Sequence, residues 1–431
     1  MVWDTTRGEA RNNGGFGPPD PGHPAAVRIA SHPAVPGEPE LEPQPRWPEQ
    51  GPTTPEDVRA LFERRSSLTV GVEEELMLVD PATLRQVPAI DRVLELVGED
   101  SRFTRELKDT QVEIVTPVSG NAVAACLQLA RARVDLATRL AGEVLLVASG
   151  TFPLAGDPGD VSEEARYRQI AGEYASATSG SLPCGLHVHV AVRGAERALA
   201  VYNAARSYLP EIGALAANSP YVDGEDSHLA SGRRSLMGAF HRSGVPPLFP
   251  TWEDFTAYVE WGRRGRLFPD ASHFWWELRP HTRYGTLELR VADTQTRAED
   301  ALAVAAVFQC LVAWLGERHD AGEPLPVHDT VRIEENAWRS MRYGVRGWMV
   351  DLDTGEPAPA RDRIGVLLED LERTAERLGV GDGIRTARAL LVDNGAERQR
   401  YVEAADGLDG LVKWLARETV GSAEDLLTRR V

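Results

Sequence analysis

Four segments of this chain share a pattern that restricts its fold more than any other feature. Each alternates so that one face is apolar and the other carries titratable groups. In "GVEEELMLVD" (71–80), Val72, Glu74, Leu76 and Leu78 fall on one side, and Glu73, Glu75, Met77 and Val79 on the other. Successive strand side chains point to opposite faces, so Glu73 and Glu75 are aimed the same way. Glutamate is depleted in strands, and a buried carboxylate is costly unless paired or bound to a metal. A half-exposed strand edge would also carry them. In "CGLHVHV" (184–190), His187 and His189 share the face opposite Leu186, Val188 and Val190. They read as paired metal ligands or as satisfied polar contacts. "GTLELRVAD" (285–293) sets Glu288 and Arg290 opposite Leu287, Leu289 and Val291, as a surface ion pair or as a metal ligand beside an anion binder. In "ELKDTQVEIVTP" (106–117), Glu113 opposes Val112 and Ile114, with Glu106 at the start.

Together these segments predict an α+β fold. An antiparallel sheet, backed on one side by helices, would gather the Glu, His and Arg groups into one cleft. Many oxygen ligands with a single histidine suit Mg²⁺ or Mn²⁺ better than Zn²⁺. Two such ions with arginines would bind a nucleoside triphosphate and offset charge on a transferring phosphoryl group.

The formal net charge of -18 disfavours general binding to nucleic acid or anionic membranes. The only lysines are Lys108 and Lys413, so no P-loop lysine motif exists. The 3 cysteines, Cys126, Cys184 and Cys310, are far apart, which argues against a disulfide framework. No secretory signal and no membrane-length apolar run stands out, so a cytoplasmic location is expected.

The first 57 residues are rich in Pro, Gly and Glu and read as a disordered tail. Residues 58–431 read as one catalytic body with C-terminal helices. Within it, strands are predicted over 68–79, 111–115, 182–192 and 286–291. Helices are predicted over 58–65, 88–96, 121–148, 163–176, 195–217, 298–317 and, in pieces, 361–417. Ser119 or Asn121 would cap the third of these helices. Residues 218–250 read as a long polar loop.

The segments "GVEEELMLVD", "VEIVTP", "CGLHVHV", "ANSPY", "RPHTRYGTLELRVAD" and "ENAWRSMRYG" occur in an order that resembles the carboxylate–amine ligases, or type 2 glutamate–cysteine ligases. The resemblance covers roughly residues 66–420. It implies a funnel of antiparallel strands like that of glutamine synthetase, with ATP and divalent ions. It implies an acyl phosphate on a carboxylate, with the γ-carboxyl of glutamate expected, which an amine then attacks. Glutamate–cysteine ligation would be a weak activity.

Residue by residue, Glu73, His187 and Glu288 would hold the ion nearer the nucleotide phosphates. Glu75, Glu106 and Glu113 would hold the ion that orients the acceptor carboxylate. Arg290 would face the phosphoryl group, and Arg233, in Ser231-x-Arg233, would bind carboxylate or phosphate. His189, Arg339 and Arg342 would face the nucleotide, the two arginines from one helix face. Glu74 points the other way and receives no ligand role. Two departures stand out: Phe152 in "GTFP" replaces the usual histidine, and Val222 replaces a common aromatic. A homodimer is among the expected assemblies. The competing readings are a zinc hydrolase built on His187 and His189, with His228, His241 or His273 as third ligand, and a non-catalytic nucleotide-binding relative.

Overall fold

The alternation at 71–80 resolves into β1 (Val70–Val79), an inner strand of a seven-stranded sheet. A computed structural model describes residues 54–64, 68–180 and 182–429. The other strands are β2 (Phe103–Arg105), β3 (Gln111–Val115), β4 (Leu145–Val147), β5 (Leu186–Ala191), β6 (Leu278–His281) and β7 (Thr286–Leu289). Their order is β6-β7-β5-β1-β3-β2, with β4 also pairing β1, and every pairing is antiparallel.

The register fixes the chemistry. Glu73 lies opposite His187 on β5 and Val115 on β3, and Glu75 opposite Glu113. Glu288 lies opposite His189 and Arg279. Directly opposed residues share a face, so all these groups stand on the same side. The other side carries Val72, Leu76, Ile114, Val188 and Leu287, each no more than 1% exposed. Helices Ala122–Leu140, Ala195–Ala205 and Ala298–Asp320 supply much of the rest of that core.

Glu74 falls on this apolar side. It is fully buried against Arg133 of the Ala122–Leu140 helix, with Nε–Oε2 at 2.7 Å and Nη2–Oε1 at 2.5 Å. The same guanidinium donates to the carbonyls of Gln295, Thr296 and Thr419. A buried carboxylate among aliphatic side chains is thus matched in charge and hydrogen bonding.

Several predicted elements need correction. The tail expected over 1–57 lies outside the described residues up to 53, and Pro55–Asp57 open a helix that runs to Arg64. The helix predicted over 121–148 stops at Leu140. Ala141 turns left-handed at φ 48°, and the apolar run beyond it becomes β4. Asn121 is its cap, accepting from the Ala124 amide. The helix predicted over 195–217 breaks at Arg206–Tyr208, and a new one starts with Pro210 in its first turn. Strand β6 and the helix Trp252–Arg264 were not expected at all.

Helix Ala298–Asp320 contradicts the expectation of no membrane-length apolar run. Its best window has mean hydropathy 1.6, but 89% of that window is buried inside the fold. Here it is the central core helix.

Candidate active site

The polar face of the sheet floors a cavity of about 420 Å³, a size that suits a small ligand. Glu73, Glu75, Glu113 and His187 rise from β1, β3 and β5. Glu106 enters from the β2–β3 connection, and Arg290 from just beyond β7. Arg233 comes from a short helix, Gly232–Met237, inside the segment predicted to be loop.

Asp293 holds that segment against the sheet. It accepts from the Asn218 amide at 2.7 Å, Ser219 Oγ at 2.7 Å and Ser231 Oγ at 2.8 Å. Ser219 Oγ in turn accepts from the Arg233 amide at 3.1 Å. One buried carboxylate therefore sets where Arg233 stands.

Two groups of side chains bring their ligand atoms within 4.8 Å of one another: Glu73, His187 and Glu288, and Glu75, Glu113 and His187. Glu106 lines the same cavity but stands outside the second group. Its Oε2 accepts from its neighbour's amide, Leu107 N, at 2.6 Å. His187 buries an Nε2 that has no hydrogen-bond partner, whereas His189 Nε2 lies 3.3 Å from Glu73 Oε1. Each group offers two carboxylates and one histidine, a donor set that fits Mg²⁺ or Mn²⁺ better than zinc. His228 has an exposed side chain beside Asp226. Neither it nor His241 nor His273 joins a ligand group.

The electrostatics divide the cleft. Burial would raise Glu73, but His189 and His187 outweigh it and hold the carboxyl well below its usual range. Burial likewise opposes ionisation of Glu288, and Arg279 and Arg290 overcome it. Arg279 meets Glu288 at 2.5 and 3.1 Å, and Arg290 Nη1 meets its Oε1 at 2.6 Å. A cation at the Glu73 group would compete with Arg290 for that oxygen.

The other end is different. Burial and then the Glu106 charge push Glu75 up to about 8. Burial, then Glu73 and Glu106, raise Glu113 well above its usual value. The three carboxyls there lack enough cation to ionise together, which is the condition a divalent ion relieves. Burial, then Arg290, takes His187 down to about 3. It is neutral and has a lone pair to give.

Not every expected residue reaches this cavity. His189 stacks edge-on with His281 and Tyr284. It lines a neighbouring cavity of about 280 Å³, walled by Val72, Pro117, Val118 and Tyr284. Arg339 and Arg342 do lie on one helix, Thr330–Tyr343, but neither lines the described cleft. That helix instead supports the Arg233 segment, where Met341 O accepts from the Ala230 and Ser231 amides. Phe152 is 2% exposed and packs with Met77, Val79 and Tyr221, so it fills core rather than cleft.

The sequence reading missed Arg279 and His281 on β6 and Arg166 on helix Ala165–Glu173, all of which line the cavity. Alternation of Arg279 and His281 with Leu278 and Pro280 was the available signal.

A model of the glutamate–cysteine ligase family 2 matches residues 69–423. The chain belongs to that family. A Rubrobacter xylanophilus relative, provisionally named glutamate–cysteine ligase 2-1, is 36% identical over 353 residues, covering 80% of this chain and 93% of the relative. A Solibacter usitatus relative with the provisional name glutamate–cysteine ligase 2 is 33% identical over 363 residues, covering 82% and 94%. Among solved structures, the glutamate–cysteine ligase of Francisella tularensis in complex with AMP superposes with a TM-score of 0.62. It is 12% identical and covers 85% of this chain and 90% of its own. A bifunctional glutathione synthetase from Pasteurella multocida gives 0.61 at 15% identity, covering 86% and 53%. The family 2 chain thus has the fold of glutamate–cysteine ligases, an antiparallel sheet backed by helices.

Proposed function

We propose that this family 2 chain is an ATP-dependent carboxylate–amine ligase acting on the γ-carboxyl of glutamate in the cytoplasm. The observation that carries the proposal is the pair of carboxylate–histidine groups on one sheet face, with Arg290 and Arg233 at the same cleft. Glu73, His187 and Glu288 would hold one divalent ion, and Glu75 and Glu113, with Glu106 nearby, the other. Bound there, Mg²⁺ or Mn²⁺ would neutralise charge on the β- and γ-phosphates and on the acceptor carboxylate.

The chain's own residues supply the rest. Arg290 is held by Glu288 and lies 3.4 Å from His187 Nδ1, so it stands between the two ligand groups, where it would meet charge on the transferring phosphoryl group. Arg233, whose buried Nε has no partner, has a donor to spare for substrate oxygens. Arg166 lines the cleft without an ion pair among the described residues and suits the α-carboxylate of glutamate. The cavity beside Glu73 and His189, largely carbon-lined, suits the nucleotide base.

The test uses purified protein with Mg-ATP, ¹⁸O-labelled glutamate and hydroxylamine. The expected result is γ-glutamyl hydroxamate, with ¹⁸O transferred from the carboxyl to released phosphate. ATP turnover that ignores glutamate and yields no hydroxamate would overturn the reading.

A further inference from the structure

One wall of the cleft has no part in the charge balance described above. It is built from elements that leave the sheet: Tyr167 and Ile170 on helix Ala165–Glu173, Leu182 before β5, Met237 and Phe240 after Arg233, and Trp275. These six belong to one hydrophobic cluster, in which Tyr167, Ile170, Leu182 and Phe240 are 5–9% exposed. Phe240 and Trp275 have ring centroids 5.4 Å apart, and Tyr174 backs both at 5.5 and 5.0 Å.

The hydroxyl groups of this wall are already used. Tyr167 donates its hydroxyl to Arg105 O at 2.8 Å. Tyr174 Oη accepts from Arg242 at 2.7 Å. Ser272, at the edge of the wall, is within 3.2 Å of His273 Nδ1. Among the described residues, no residue of the wall carries a buried side-chain polar atom without a partner. The unpartnered atoms at this cleft belong to His187, Arg233 and other groups of the charged side. A site that selects a polar side group presents a matched donor or acceptor, left unpaired when that group is missing. Apart from the Trp275 indole N–H and the Ser272 hydroxyl at its edge, this wall presents rings and alkyl groups.

The wall also stands at a definite end. Leu182 lies next to Pro183 and Cys184, just before Gly185, whose amide donates to Glu75 at 2.6 Å. Leu107 of the same cluster follows Glu106. The carbon wall is therefore at the Glu75–Glu106 end, away from the cavity beside His189. At that end the wall adjoins the groups proposed to hold the acceptor carboxylate, within reach of an amine approaching its activated carbon.

We propose that this wall is the subsite for the amine, and that the amine carries an apolar, aromatic-sized side group rather than a small thiol. The inference rests on the ligase reading above. The step is acyl transfer: the amine nitrogen forms a bond to the γ-carbonyl carbon, the carbon–oxygen bond to phosphate breaks, and inorganic phosphate leaves with the electron pair. The proton lost by the amine passes to solvent or phosphate.

The test supplies Mg-ATP and glutamate with hydroxylamine, L-cysteine, L-phenylalanine, benzylamine or tyramine in turn, and reads the γ-glutamyl product by mass spectrometry. At least one aromatic amine should exceed cysteine in kcat/KM by about tenfold or more, as an extra buried apolar group does in a fitted pocket. Trp275→Ala and Ile170→Ala should each raise KM for the aromatic amine more than for hydroxylamine, which is too small to reach the wall. Two positions are used so that loss of fold at one leaves the other to decide. Hydroxamate formed from glutamate, with cysteine preferred over every aromatic amine, would overturn the subsite while leaving the ligase standing. No product with any nucleophile would instead overturn the ligase itself.

Discussion

Replacing Glu74 by Gln should weaken the fold while sparing the chemistry, although its neighbours on either side floor the cleft. Glu74 and Arg133 are both 0% exposed and joined at 2.5 and 2.7 Å. Removing one partner of such a pair strands the other charge in a dry interior and costs about 3–5 kcal/mol. The three carbonyls that Arg133 also contacts soften this and favour the lower end of that range. At roughly 2 °C per kcal/mol for a large domain, the lower end corresponds to a fall in melting temperature of about 6 °C. Turnover below that transition, at saturating Mg²⁺, should stay within a few-fold of the parent. Arg133→Met combined with Glu74→Gln should regain part of the loss, because an apolar replacement leaves no buried charge. By contrast, Glu73→Gln and Glu75→Gln each take a negative charge from a proposed cation site, so turnover should fall at least about a hundredfold and the required metal concentration should rise. The assay is thermal melting and phosphate release on all four variants. If Glu74→Gln abolishes turnover with an unchanged melting temperature while Glu73→Gln and Glu75→Gln remain active, the face assignment is wrong by one residue.

Activity should require Mg²⁺ or Mn²⁺ and survive a zinc-selective chelator; loss on removing zinc alone would favour the hydrolase. Divalent-ion binding should release protons between pH 7 and 8, because Glu75, pushed up to about 8, must ionise to act as a ligand. A carboxyl whose folded value lies above its ordinary 4.5 binds more protons folded than unfolded. Metal-free stability should therefore fall as pH rises from 7 to 8, a loss that Mg²⁺ cancels. This window lies above the one in which His187, His273 and His281, each held down near 3, change the balance in the other direction. Melting curves with and without Mg²⁺ read both effects. Cys184→Ala should keep most turnover, since burial raises that thiol well above its usual range and no thiolate is used. A loss beyond about a hundredfold, roughly 2.7 kcal/mol in the barrier, with the fold intact would point to a nucleophilic route.

The division of β1 into a charged and an apolar face could be read from alternation alone, because a period of two leaves Glu73 and Glu75 no choice but to share a side. What alternation cannot give is register. That Glu73 meets His187 while Glu75 meets Glu113 depends on pairing between strands 110 and more residues apart in places. Strand β6 was hidden because it is four residues long and contains Pro280, a residue that argues against a strand. Arg279 and His281 were lost with it. The stop after Leu140 was signalled by Gly142, a residue suited to the positive φ of 81° found there, but the apolar residues that followed extended the helical pattern past it. Arg339 and Arg342 were expected on one helix face, and both do lie on the helix Thr330–Tyr343, an element the predicted helices did not include. Which side of the Arg233 segment that helix would support was a tertiary matter that helical spacing does not encode.

The contact between Arg133 and Thr419 O joins positions 286 residues apart. Thr419 also receives the Ala148 amide through its hydroxyl at 3.0 Å, beside β4 and so beside β1. During synthesis Glu74 leaves the ribosome early, and its guanidinium partner follows soon after. The carbonyls that complete that partner's bonding belong to Gln295, Thr296 and, last of all, Thr419. Until that late helix emerges, the sheet has an open flank and its buried charge pair keeps its water. The catalytic face is therefore not something the nascent chain can finish and hold while the remainder is translated. It should mature after most of the sequence has been made, in one late closing step. Contacts of such long range also make that step slow and leave unpaired strands exposed meanwhile.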